Sequence, residues 1–170
     1  MTHTVAVLVE NKPGALARVS NVFARRGYNI ESLAVGPTER FDVSRITLTV
    51  RCPPERLEQI SRQVQKLVNV LAVSTLEAGE AVERELVLAR VAVPPERRAD
   101  LIALTGVFGA RVADLGPDAM VFELVGTPDE LASFEELLRP HGLEELARTG
   151  RIGLARASSP APSPRQHVLR

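Results

Sequence analysis

Cysteine, aromatic residues and net charge are what this 170-residue sequence has least of. Its one cysteine, Cys52, excludes an internal disulfide and a zinc site built on a cysteine cluster, and reads as a reduced, partly buried thiol. With no Trp and one Tyr, the core has to be made of Val, Leu, Ala and Ile. Lys+Arg and Asp+Glu balance at 21 each, which argues against a broad electrostatic surface for nucleic acid. No apolar run approaches the length of a membrane span. Met1-Thr2-His3-Thr4 carries no basic segment followed by an apolar stretch and a cleavage site, so the expectation is a cytoplasmic protein without a membrane partner. Nucleophile elbow, P-loop and G-x-G-x-x-G are all absent. His3, His141 and His167 have no metal-ligand spacing with one another or with Cys52, and read as surface residues. The carboxylates fall mainly on helix polar faces and at strand ends, where solvation is the ordinary state. The chain therefore offers no catalytic constellation and no metal site.

What is present is a soluble, globular composition, 45% hydrophobic and 25% charged, in a chain long enough for two small domains. Thr4 to Val9 reads as a central strand, since almost all of it is apolar. Leu16 to Arg26 follows as an amphipathic helix with Leu16, Val19, Val22 and Phe23 on one side, and Gly27 stops it. Tyr28 to Val35 is a second strand, broken by Gly36-Pro37-Thr38. Phe41-Asp42 leads into a third, in which Ile46, Leu48 and Val50 alternate with Thr47, Thr49 and Arg51. Pro53-Pro54 opens a helix carrying Leu57, Ile60, Val64, Leu67 and Val68, Asn69 stops it, and Val70 to Leu76 is a fourth strand. The order β-α-β-β-α-β predicts a ferredoxin-like unit, a four-stranded antiparallel sheet with both helices on one face and the second strand at an edge.

The pattern repeats less clearly after a linker over 78–84. Glu85 to Val93 is strand-like, Pro94-Pro95 opens a helix through Leu101, Ile102 and Leu104, and Ala110 to Leu115 and Met120 to Val125 are strands. Thr127 and Pro128 start a helix carrying Leu131, Phe134, Leu137 and Leu138, as N-cap and first helical residue. From His141 to Leu154 the reading is ambiguous, because Gly142 and Gly150 bracket a helix-favouring Leu-Glu-Glu-Leu-Ala-Arg run. The expected class is thus α+β, with two ferredoxin-like βαββαβ domains over 1–77 and 85–156 and a Pro/Ser-rich disordered tail over 157–170.

The stretch Glu10-Asn11-Lys12-Pro13-Gly14-Ala15-Leu16 joins the first strand to the first helix. Such a turn presents free N–H groups and the positive end of a helix dipole, which suits a carboxylate. Gly14 lets a ligand approach the backbone, and Asn11 adds a donor and an acceptor. The plainer alternative is an ordinary turn in which Asn and Gly serve the backbone alone. Asn29, at the start of an edge strand, favours the ligand reading. Two such domains side by side could bring Asn29 of one near the Asn11–Leu16 turn of the other.

Asn11-Lys12-Pro13-Gly14-Ala15-Leu16-Ala17-Arg18-Val19 and Arg25-Arg26-Gly27-Tyr28-Asn29-Ile30-Glu31-Ser32-Leu33 resemble the start of an ACT domain of one kind, that of the small regulatory subunits of acetolactate synthase (acetohydroxyacid synthase). Ser44-Arg45-Ile46-Thr47, Leu57-Glu58-Gln59-Ile60, Gln65 to Val70, Val82-Glu83-Arg84-Glu85-Leu86 and Arg148 to Arg156 extend the likeness over roughly residues 3–156. The resemblance implies a non-catalytic subunit, dimeric through its ACT domain. It would bind and activate a large catalytic subunit and confer feedback inhibition by valine on the first common step of valine, leucine and isoleucine synthesis. Thiamine diphosphate, FAD and magnesium are implied for the large subunit, and no cofactor for this chain.

The residues agree physically with that role. The N–H groups of Gly14, Ala15 and Leu16 could hold a valine carboxylate, the side-chain oxygen of Asn11 or Asn29 its ammonium, and Leu16, Ile30 and Val35 its apolar side chain. One methylene separates valine from leucine or isoleucine and is worth only about 1–3 kcal/mol, so the preferred effector stays open. Three further readings rest on the same fold. A stand-alone ACT sensor of another amino acid would not need the Val82–Glu85 and Arg148–Arg156 stretches. An RNA-binding sheet would need aromatic residues that Val5–Val9 and Ile46–Val50 lack. A small ferredoxin-like hydrolase is possible by fold alone, which does not give function.

Overall fold

Val5, Val7 and Val9 alternate along the first strand, and the register of the sheet sets Val5 opposite Leu48 and Val7 opposite Ile46, making one continuous apolar face. In the computed structural model, which describes residues 1–77 and 79–158, that face is the floor of the first core. The elements are β1 (Thr2–Glu10), α1 (Ala15–Ala24), β2 (Ile30–Pro37), β3 (Val43–Arg51), α2 (Pro54–Val64) and β4 (Val70–Leu76). The strands form an antiparallel sheet in the order β2-β3-β1-β4, so β1 and β3 are central and β2 lies at an edge. Ala15, Val19 and Phe23 of α1 recur every four residues, and Leu57, Ile60 and Val64 of α2 at steps of three and four. Both stripes close onto the same sheet face.

Three local readings of the sequence differ from this unit, each for a physical reason. Gly27, at φ 73°, closes α1 with the Gly27 N–H on Ala24 O and the Tyr28 N–H on Phe23 O. Tyr28 is thus spent on the helix cap, and β2 starts only at Ile30. Gly36 and Pro37 do not break β2, because an edge strand tolerates a residue without an N–H, and Pro37 still faces Ser44. Helix α2 ends at Val64, so Leu67 reaches the core from the following turn while Val68 is exposed.

The second half repeats the order with β5 (Ala81–Ala92), a single 3-10 turn over Pro95–Arg97, α3 (Arg98–Gly106), β6 (Arg111–Leu115), β7 (Ala119–Gly126), α4 (Pro128–Leu138), a 3-10 turn over Arg139–His141 and β8 (Leu143–Arg148). Its strands run β6-β7-β5-β8, again antiparallel where paired, around Val87, Ala89, Val91, Phe122, Leu131 and Phe134. Thr127 caps α4 in a complete capping box, its hydroxyl accepting from Glu130 N while the Glu130 carboxylate accepts from Thr127 N at 2.7 Å.

The ambiguous Leu-Glu-Glu-Leu-Ala-Arg run is the strand β8. Its two core residues, Leu143 and Leu146, are three apart, which looks helical. A bulge between Arg90 and Val91 in the β5 pairing absorbs the extra residue and brings both onto the core.

The chain divides into two compact units, Met1–Glu83 together with the described residues from Arg151, and Arg84–Gly150. β5 begins inside the stretch expected as linker, and the last strand, β9 (Ile152–Ala155), belongs with the first unit and pairs with β5. The expected tail falls outside the described residues from residue 159 onward, and so does Ala78. Among the described residues no helix is long and apolar enough to cross a membrane.

Candidate functional site

The turn between β1 and α1 is fastened from its own backbone. The Asn11 N–H donates to Asp42 O at 2.8 Å and the Lys12 N–H to Glu10 O at 2.8 Å, so the turn is stitched to the start of β3 and to itself. The Asn11 side-chain amide donates from Nδ2 to Phe41 O at 3.2 Å. A carbonyl can only accept, so the nitrogen end of the amide is committed and Oδ1 is the end left for a donor. Behind the turn, Asn69 Nδ2 donates to the Glu10 carboxylate at 2.7 Å, Lys12 Nζ lies 3.1 Å from the same carboxylate, and the Arg18 guanidinium donates to Asn69 Oδ1. The hydrogen bonds from Lys12 and then Asn69 hold the Glu10 carboxyl below the usual carboxylate range.

Gly14 is the N-cap of α1 in the left-handed region, φ 83° and ψ −7°, a conformation that favours glycine. No side chain caps this helix and its first turn holds no acidic residue, in contrast to α4 with Asp129, Glu130 and a capping box. The Ala15 N–H donates to Lys12 O at 3.3 Å. Among the described residues, the N–H groups of Gly14, Leu16 and Ala17 reach no backbone carbonyl, so they are the donors open at this helix start. Ala15 differs from its expected role: its N–H is taken and its methyl is buried in the core at 5% exposure. Leu16, by contrast, is 38% exposed.

The other expected residues lie on β2. Val35 faces Ile46 across the sheet and is 48% exposed, and Leu33 beside it faces Leu48. Ile30 faces Val50 and packs partly against the core, while Asn29 is exposed just before the strand. Along β3, Val43 marks the turn end of the sheet, opposite Glu10, and Val50 the end at Ile30, opposite His3. Seven residues of strand separate them, about 23 Å. Within one chain Asn11, Gly14 and Leu16 therefore lie at one end of the sheet, Asn29 with Ile30 stands at the other, and Val35, opposite Ile46, lies between them on the side nearer the turn. A ligand the size of an amino acid cannot touch both groups of one copy. β2 is an edge strand whose outer side is unpaired. Antiparallel pairing of two such edges about Leu33 would set Ile30 of one copy beside Gly36 of the other, and so Asn29 beside the turn.

Sequence reasoning missed what holds the other face of this sheet. The Arg151 N–H donates to Ser32 Oγ at 2.9 Å, and its guanidinium to Thr4 Oγ1 at 3.1 Å and Glu83 at 3.2 Å. Gly153 lies so close that a Cβ there would sit 2.6 Å from Leu76 Cδ1. The signal was the Arg148–Arg156 stretch, which is part of the family likeness but cannot by itself say which unit it joins. Among the described residues, no group of three or more His, Cys, Asp or Glu could hold a metal ion.

Comparison with known proteins agrees with this architecture in both halves. Residues 5–72 match the family model described as the AHAS small subunit-like ACT domain, and residues 84–157 that described as the small subunit of acetolactate synthase. A probable acetolactate synthase small subunit of Archaeoglobus fulgidus is 48% identical over 158 residues, 93% of this chain and 99% of the relative. The acetolactate synthase small subunit of Mycolicibacterium smegmatis is 43% identical over 155 residues, 91% of each chain. The crystal structure of an acetolactate synthase small subunit from Thermotoga maritima superposes with a TM-score of 0.84 at 35% identity, covering 92% of this chain and 98% of that one.

Proposed function

The chain belongs to the family of acetolactate synthase small subunits, and from that premise we propose that it is the regulatory, non-catalytic subunit that binds and activates a cytoplasmic large catalytic subunit and makes it sensitive to valine. Thiamine diphosphate, FAD and magnesium belong, in this reading, to the large subunit. The observation that carries the valine site is the bare start of α1. Its open N–H groups at Gly14, Leu16 and Ala17 and its unneutralised dipole suit the valine carboxylate. Asn11 Oδ1 accepts from the ammonium, and Leu16 with Val35 takes the isopropyl group. Asn29 and Ile30 come from a second copy paired along β2. Because the pocket is complete only in that dimer, ligand occupancy and dimer arrangement are coupled, which is what feedback inhibition requires.

Acetolactate formation by the cognate large subunit, with and without this chain over a valine titration, tests the reading. Activation that falls as valine rises is the expected result. Activation insensitive to valine would remove the ligand from the turn, and no effect on the large subunit would refute the regulatory role.

A further inference from the structure

Away from the ligand turn, α1 and α2 enclose a groove of about 550 Å³ lined by Val22, Arg25, Arg26, Tyr28, Arg56 and Gln63. Val22 and Tyr28 are half-buried against the core and form its floor, and the guanidiniums form its rim. We propose that this groove docks an acidic, carboxylate-bearing patch of the large catalytic subunit. The inference rests on the regulatory-subunit reading and names the surface that reading leaves open.

One of the three charges has no internal explanation. Arg25 and Arg26 follow the end of α1, where cations complement exposed carbonyls. Arg56 does not fit that rule. It stands in the first turn of α2, where a cation opposes the helix dipole, and it shares the groove with two other arginines. Among the described residues none of the three makes an ion pair. Arg56 reaches only Gln59 Oε1 at 3.4 Å, and Glu58 on the same helix is committed to Arg62. Three guanidiniums without an ion pair, on a chain with zero net charge, are a local concentration of one sign, and a cation set against the helix dipole at Arg56 points to function.

Arginine and tyrosine over an apolar floor is also the composition of energetically dominant interface patches, and the guanidinium fork matches carboxylates. The groove lies at the far end of α1 from Gly14, about 15 Å along the helix, so partner and valine would hold opposite ends of one rigid element.

The test is the affinity of the full-length chain for the immobilised large subunit at low and high salt, for wild type and the double variant Arg25→Glu/Arg56→Glu. The expected result is a Kd raised about tenfold or more with a flatter salt dependence. The thermal melt should change little, because an acid at position 56 suits the start of α2 while an acid at position 25 opposes the end of α1. A purely structural role would lower the melt instead. Unchanged affinity in the double variant overturns the proposal and leaves the regulatory reading standing. A wild-type chain that does not bind the large subunit ends both. If the wild-type chain takes up inorganic pyrophosphate, the double variant does not, and large-subunit affinity is equal in the two, the groove serves a small anion and the proposal fails.

Discussion

Replacing Gly14 with aspartate and, separately, with asparagine isolates charge from shape at the mouth of α1. Gly14 sits at φ 83°, and a Cβ built there meets nothing within 4 Å, so the cost of substitution is conformational and not steric. Asn and Asp are the side chains that enter this region most readily, and both variants should lose about 1 kcal/mol or less. Only aspartate brings a carboxylate. It complements the dipole of a helix that has no acidic residue in its first turn, so it does not unfold α1. In the proposed site it would compete for the same open N–H groups as the valine carboxylate and repel it. Two unit charges about 4 Å apart repel by about 1 kcal/mol in water and about 4 kcal/mol at an effective dielectric near 20. The turn is exposed, so the lower part of that range applies, about 1–2 kcal/mol, or roughly 5–30-fold in the valine concentration for half-inhibition. The assay is acetolactate formation over a valine titration for wild type, Gly14→Asn and Gly14→Asp at two ionic strengths. The aspartate variant should lie at least about fivefold beyond the asparagine variant, with the gap narrowing at high salt while activation persists. Equal shifts for the two variants would refute the carboxylate assignment.

Because Asn11 and Asn29 act from different copies in this reading, mixing Asn11→Ala chains with Asn29→Ala chains should restore one intact site per mixed dimer, and with it valine sensitivity that neither variant shows alone; no restoration would place both residues in one copy's site or outside the site. Gly142→Ala combines a φ of 94° with a Cβ 2.7 Å from Ala92 O, and should cost about 2–4 kcal/mol, lowering the melting point by about 5–15 °C in a thermal scan. Thr127→Ala removes the hydroxyl of the capping box and should cost about 1 kcal/mol, read as a melting point about 2–4 °C lower. The Glu130 carboxyl is held below its ordinary value first by the backbone N–H of Thr127 and then by its hydroxyl. Its contribution is therefore present above the unfolded carboxylate value and lost as pH falls through the folded one. An NMR titration of Glu130 should show a depressed midpoint that Thr127→Ala raises only in part, since the larger cause survives.

What was legible in the sequence was what depends on near neighbours. The period-2 run Ile46–Leu48–Val50, Val19 and Phe23 of the α1 stripe, Leu57, Ile60 and Val64 of the α2 stripe and the Thr127–Pro128 start are local signals, and the structure contains each of them, while Leu16 and Val68 of those stripes are exposed. The turn at Gly14 was legible as a glycine turn opening a helix, and the structure has Gly14 at φ 83° before an uncapped helix start. Ala15 was misjudged because one position in a turn can serve the backbone, the core or a ligand. Only the packed structure shows that its methyl is spent on the core and its N–H on Lys12. The β8 run stayed ambiguous because its alternation is broken. In its pairing with β5 one residue of β8, Glu144, is extra, so Leu143 and Leu146 share a face three positions apart, a spacing that a period count reads as helical.

The end of the described chain shows where such reading stops. Residues 143–155 follow one another, so the count assigns them to one unit, yet Gly150 turns at φ 80° and the next residue leaves that unit. Arg151 then holds Ser32, Thr4 and Glu83, which are 119, 147 and 68 positions away. No periodicity carries such a pairing, because its warrant is the sheet face that Arg151 covers and not its neighbours in sequence. Ser32 lies on β2, two residues past Ile30 at the bulge, so the closing segment is hydrogen-bonded to the strand that the proposed dimer would pair. The likeness to acetolactate synthase small subunits at Arg148–Arg156 therefore has a physical reading that the second unit alone would not supply: part of that stretch is a component of the first unit's sheet surface, hydrogen-bonded to the edge strand on which the proposed valine site would depend.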